Sequence, residues 1–243
     1  MERKKYLNFQ LKKLNREEGV LINPIILFLV SIVPGILWVR YFYKKDKYDP
    51  EPKSIIIRDF IWGLFIVFPV SFLESPFSNF LKADSSLMTI FLASIFVVGL
   101  IEEGAKAYVV YKFHYNHPEF NERIDGIIYG VTVGLGFAAA ENLFYTIIYG
   151  YQVGLMRAFI TTLAHASFTG IFGYFLGRAK IEKRSFCIII GLGSAILLHG
   201  LYDFLIISNI IGFNYTIAII IALQILLAYL INNLLDKSPF KNN

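Results

Sequence analysis

The 243-residue sequence has very little cysteine, and Cys187 is its only one. A single thiol excludes an intrachain disulfide and a cysteine-rich metal site. It lies in the apolar run FCIIIGLG, where a neutral, packed thiol is expected. Charge is also scarce: Asp, Glu, Lys and Arg make up 17% of the chain, while hydrophobic residues make up 56%. That balance excludes an ordinary soluble domain. The first 20 residues are charged and hold no apolar stretch followed by a small-residue cleavage site, so no secretory signal peptide is expected. The formal net charge of +5 does not require a nucleic-acid partner. In a membrane protein, basic residues gather in cytoplasmic loops and beside anionic lipid.

What the sequence has in abundance is long apolar runs. Seven candidate spans are read, roughly 21–39, 55–74, 87–111, 125–149, 153–177, 186–207 and 213–234. At a rise of about 1.5 Å per residue each can cross a hydrocarbon core of about 30 Å. Runs of that length exceed barrel strands, and hydrocarbon offers no partner for unpaired backbone groups. The expected fold is therefore an all-α, polytopic integral membrane helical bundle. The loops are short, no soluble domain is inserted, and no internal repeat is evident. The expected organisation is a basic N-terminal segment at 1–20, one transmembrane domain at 21–236, and a short cytoplasmic tail at 237–243.

The basic residues set the orientation. Loops after the first, third and fifth spans, with the C-terminal tail, hold thirteen Lys and Arg, against two (Lys82 and Arg157) after the second, fourth and sixth. The positive-inside rule places the first group in the cytoplasm and, with seven spans, the N-terminus outside. The N-terminal segment argues the other way, with six basic residues of its own. The internal loops agree with one another and are followed here. The loop RYFYKKDKYDPEPK (40–53) reads as an interfacial anchor, with Tyr41, Phe42 and Tyr43 in an aromatic belt.

Four polar clusters interrupt the spans, and ionisable groups at such depth are costly unless they are functional or paired. The first is Glu102-Glu103-Gly-Ala-Lys106. Lys106 is within helical pairing distance of either glutamate. Adjacent residues point about 100° apart, so one glutamate is expected to face a site and the other to be held by a pair. The second is GFAAAENLFY, with Phe137, Glu141 and Asn142 behind three alanines that permit close helix approach. The third is His165 in TTLAHASFTG. The fourth is LLHGLYDF, where His199 and Asp203 share a helix face; Asp203 is expected to accept the His199 Nδ1–H.

These groups lie on four successive spans, so a bundle can bring them together. Carboxylates removed from water become stronger bases, and histidine can move a proton or stabilise an oxyanion. The set suits amide hydrolysis. There is no His-Glu-x-x-His, no Gly-x-Ser-x-Gly and no mid-span aspartyl pair. Ser167 follows His165 too closely to use it as a base. A zinc held by Glu102, His165 and His199 stays open, because both residue types are competent ligands. So do a proton-coupled transporter and a non-catalytic scaffold.

At these residues the sequence resembles the PrsW family of glutamic-type intramembrane proteases, close to its Gram-positive members. The resemblance rests on PGILWVRYFYKKDKYDPEP, GLIEEGAKAYVVY, DGIIYGVTVGLGFAAAENLFY, the His165 stretch, FGYFLGRAK and LLHGLYDF. The wider superfamily is similar to type II CAAX prenyl endopeptidases. The resemblance implies a multi-pass cell-membrane hydrolase with no cofactor. It implies cleavage of a membrane-anchored protein such as an anti-sigma factor, near the extracytoplasmic face, in stress-response regulated proteolysis. It implies a catalytic set of Glu102, Glu103, Glu141, His165, His199 and Asp203, supported by Lys106, Phe137 and Asn142.

Overall fold

A computed structural model describes residues 23–241. The expected basic segment at 1–20 lies outside the described residues. Among those described, seven helices are long and apolar enough to cross a membrane. They are α1 (Pro24–Tyr43), α2 (Lys53–Leu81), α3 (Leu87–His114), α4 (Arg123–Tyr149), α5 (Tyr151–Ile181), α6 (Phe186–Ser208) and α7 (Phe213–Asp236). The all-α membrane bundle read from the sequence is the fold. Cys187 is buried and free, as expected of a packed thiol.

α1, α3 and α5 carry interruptions, and α2 ends in a 3-10 segment at Ser75–Leu81. α1 is broken at Ile32, two residues before Pro34, whose ring cannot continue the hydrogen-bond ladder. α5 is broken at Ile160 into Tyr151–Phe159 and Thr161–Ile181. α3 contains a π-helical segment at Ser94–Gly99, immediately before the Glu102-Glu103 turn. Such a segment adds a residue to the turn and re-aims the side chains that follow.

The centre of the bundle is α4, in which 19 of 27 residues are buried. Its most extensive interface is with α5, followed by α2. Small residues allow the approach: Gly126 of α4 meets the backbone of Gly173, and Gly130 meets that of Thr169. Lipid tails are as apolar as leucine, so close van der Waals packing drives association here. A methyl group at Gly134 would stand 2.7 Å from the His165 carbonyl oxygen, and one at Gly200 would stand 2.6 Å from Ile95 Cα. Those two contacts fix how far His165 and His199 project toward α3 and α4.

The loop after α1 departs from the anchor reading. Tyr41 is exposed, as a belt residue should be, but Phe42 joins the core. Asp46 and Glu51 are buried as well. Asp49 accepts a hydrogen bond from Asn121 Nδ2 at 2.9 Å, which ties the loop to the start of α4. Pro50 and Pro52 stiffen this short loop.

Candidate active site

The four polar clusters meet between α3, α4, α5 and α6. Lys106 lies at the middle, fully buried. Its ammonium donates to Glu102 Oε2 at 2.9 Å and to Glu103 Oε1 at 2.7 Å. It also lies 3.0 Å from His165 Nδ1 and 4.0 Å from the centroid of the Phe137 ring. The expectation that the two glutamates face different points is corrected. Lys106 is four residues from one and three from the other, so its long side chain bisects their directions and gathers both.

The hydrogen-bond pattern fixes the state of His165. An ammonium has no lone pair, so His165 Nδ1 accepts from Lys106. The ring proton is therefore on Nε2 and is donated to Glu141 Oε2 at 2.9 Å. The same oxygen of Glu141 lies 2.8 Å from Arg157 Nη2. Both nitrogens of His165 are thus engaged.

His199 differs. Its Nδ1 meets Glu103 Oε1 at 2.9 Å, while Nε2 lies 3.5 Å from Asp203 Oδ2 and 3.8 Å from Glu102 Oε2. The expected Nδ1–Asp203 pairing is corrected: Glu103 takes that nitrogen, because the α3–α6 approach at Gly200 brings Glu103 closer than the next turn of α6 does. Phe168 stacks on the His199 ring at 5.1 Å and limits its rotation. Glu103 also accepts from Thr169 Oγ1 at 3.0 Å. Glu103 is thus saturated, whereas Glu102 has one short contact, to Lys106.

Asn142 stands apart from the central cluster. Its amide donates to Thr162 Oγ1 at 2.9 Å and accepts from Arg157 Nε at 3.1 Å. Ser167 donates to the Leu163 carbonyl and accepts from Gln224, so it is spent on structure.

Three residues of this region were not singled out in the sequence. Arg157 was counted among loop charges, yet it lies in α5 with its guanidinium 3.7 Å from the Tyr145 ring. An arginine inside an apolar span was the available signal. Thr169 lies one turn after His165 and so shares its face. Glu74 ends the α-helical part of α2, and its Oε1 is buried without a hydrogen-bond partner.

Residues 51–230 match the family described as "PrsW family intramembrane metalloprotease". A "Protease PrsW" of Geobacillus kaustophilus is 36% identical over 185 residues, 75% of this chain and 80% of the relative. That of Bacillus subtilis is 36% identical over 178 residues, 72% of this chain and 80% of the relative. That of Clostridioides difficile is 34% identical over 212 residues, 83% and 86% of the two chains. No solved structure matches.

This chain belongs to the PrsW family. It is accordingly a multi-pass membrane protease, a hydrolase of the cell membrane. The family description names a metalloprotease. One atom from each of Glu102, Glu103, His165 and His199 lies within 4.8 Å of the others, and all four residues are buried. Two carboxylates and two imidazoles suit a divalent transition metal. The Lys106 ammonium stands among these same donors, and an ion bound by all four requires Lys106 to release its contacts.

Proposed function

We propose that this PrsW-family chain hydrolyses a peptide bond of a membrane-anchored protein, with Glu102 as the base that activates water. The observation that carries the reading is the contrast between the glutamates. Glu103 is saturated by Lys106, His199 and Thr169, while Glu102 keeps one carboxylate oxygen outside the hydrogen-bond network. A base needs a free lone pair within reach of the water it deprotonates.

In this scheme the water oxygen bonds to the carbonyl carbon as its proton passes to Glu102. Negative charge grows on the carbonyl oxygen, and the buried Lys106 ammonium provides a fixed positive field that stabilises it. The carbon–nitrogen bond then breaks, and the proton held by Glu102 passes through His199 Nε2 to the departing amine. Glu103 orients His199 and Lys106. Glu141 and Arg157 hold His165, which in turn holds Lys106. Asp203 stands beside the open nitrogen of His199 and steadies it. Should the site load a divalent ion, Glu102, Glu103, His165 and His199 are the residues to hold it, and it supplies Lewis acidity and a more acidic bound water.

By the positive-inside rule, Glu141, Arg157 and Asp203 lie toward the extracytoplasmic ends of their helices, which suits cleavage near that face. A single-pass anti-sigma factor is the substrate that the family resemblance implies. The test is co-expression of such a protein with wild type, Glu102→Gln, Glu103→Gln or His165→Ala at matched membrane levels. Cleavage by wild type alone is expected. Cleavage by the variants at the wild-type rate would assign the cluster to structure or transport.

A further inference from the structure

A groove of about 360 Å³ opens between α1 and α7, and Leu163 of α5 lines it as well. Along α7 it runs from Ile220 through Gln224 and Ala228 to Asn232, positions four apart on one helix face. Ile221 and Ile225 beside them are exposed, so this face looks out to lipid. At about 1.5 Å per residue, the stretch from Ile220 to Asn232 is about 18 Å long. That is close to half of a hydrocarbon core of about 30 Å, so the groove is one leaflet deep.

Its two ends differ. Phe42 shares a core cluster with Ile231, Leu234 and Leu235, so the C-terminal ends of α1 and α7 meet at the Asn232 end. Tyr41 and Lys45 line the groove there. The Lys45 ammonium lies 4.8 Å from the centroid of the Tyr41 ring and joins no ion pair among the described residues. The Ile220 end carries only apolar side chains. Gln224, between the two, is spent on structure, donating to the Leu163 carbonyl at 2.9 Å and to Ser167 Oγ. By the positive-inside rule the Lys45 end lies at the cytoplasmic surface.

A ligand that fits is therefore apolar along one leaflet and anionic at its outer end. A transmembrane helix is the wrong shape, since it is about 10 Å across and needs the full core of about 30 Å. We propose that the groove binds one anionic phospholipid of the cytoplasmic leaflet, with an acyl chain along Ile220, Gln224 and Ala228 and its phosphate at Lys45 and Asn232. A lysine at the membrane surface attracts anionic lipid, and the apolar wall holds the chain by burial. The hydrolysis scheme above uses none of these residues, so the proposal stands apart from it.

The chain supplies its own reporters. It has two tryptophans: Trp38 lines the groove, and Trp62 is exposed on α2. The full chain carrying Trp62→Phe is reconstituted in mixed vesicles of phosphatidylcholine and phosphatidylglycerol, with the acyl chains of one lipid or the other brominated. At equal mole fraction, brominated phosphatidylglycerol is expected to quench Trp38 as a ligand bound about fivefold tighter than brominated phosphatidylcholine. Lys45→Gln should bring that ratio to about one, and Lys45→Arg should keep it. Ala228→Phe, which fills the groove, should weaken quenching by both lipids. The Trp38→Phe chain, which reports from Trp62, should show no preference. Equal quenching of Trp38 by the two lipids, a preference that survives Lys45→Gln, or quenching unchanged by Ala228→Phe would overturn the assignment. The same preference at Trp62 would show a general ring of anionic lipid and overturn it too. Relief of Trp38 quenching by an added single-span peptide would give the groove to a protein helix instead.

Discussion

Two buried groups of acids lie at different depths in this molecule, and they are solved in opposite ways. In the candidate active site, Glu102, Glu103 and Glu141 are matched by Lys106, Arg157 and two histidines at hydrogen-bond distance. Under the bundle, Asp46, Glu51, Glu122 and Asp125 converge on the start of α4, and each keeps a buried oxygen with no hydrogen-bond partner. Burial pushes Asp46 up to about 7 and Glu51 up to about 9, and it raises Glu122 as well. One group is held by cations. In the other, backbone N–H groups of Asn121 and Glu122 hold Asp125, and burial favours the protonated carboxyls of Asp46 and Glu51. The same residue type can therefore mark a reactive site or a pH-sensitive seam, and the partner decides which.

The sharpest way to break the comparison is at the paired group. Glu102→Gln removes the proposed base and leaves the shape of the side chain. Cleavage of a reporter should fall by about 10²–10⁴-fold, the usual range for one general base, with the thermal unfolding midpoint little changed. Retained cleavage would mean that the open oxygen of Glu102 is not used.

Next is the cation itself. Lys106→Met leaves Glu102 and Glu103 buried without their shared partner. Removing one member of a buried ion pair costs about 3–5 kcal/mol. The variant should therefore unfold well below the wild-type temperature in detergent, or fail to accumulate. Adding Glu103→Gln should restore part of the loss. If Lys106→Met is as stable as wild type, Lys106 is not the counter-charge of this site.

A smaller effect is expected at Arg157. Arg157→Gln frees Glu141, and with it the orientation of His165, so cleavage should fall about tenfold. Arg157→Lys should be intermediate, since a lysine keeps the charge but lacks the planar fork that reaches Glu141 and Asn142 together. Equal losses in the two variants would show that charge alone is at work.

The sequence carried much of this. Ionisable residues in apolar spans are conspicuous, so Glu102, Glu103, Glu141, His165, His199 and Asp203 could be named from composition and spacing, and the structure brings them to one place. The directions of their side chains could not be read. The π-helical segment at Ser94–Gly99 rotates the Glu102 turn relative to a regular helix, and a hydropathy pattern does not show it. The shift of His199 toward Glu103 depends on a backbone contact at Gly200, which is a tertiary fact. Arg157 falls within the span read at 153–177, but counting it with the loop charges took it out of the set of intramembrane groups. The loop at 40–53 misled for a related reason. Aromatic and basic residues dominate it, and the two acids that tuck inward are a minority of its composition.

The smallest effect belongs to that loop, and its sign follows from the direction of the shifts. Asp46 and Glu51 bind protons in the folded chain at a pH where unfolded carboxyls, near about 4, have lost them. Where the folded state binds more protons, stability falls as pH rises. The stabilising contribution is whole below the unfolded values. It is lost as pH climbs through about 7 for Asp46 and about 9 for Glu51. Unfolding midpoints in detergent should therefore decline between about pH 5 and pH 9. Asp46→Asn should flatten the lower part of that decline and Glu51→Gln the upper part, because an amide has no proton to lose. A decline as steep in both variants as in wild type would mean that these acids are ionised and neutralised by something else, and the contrast between the two buried groups would collapse.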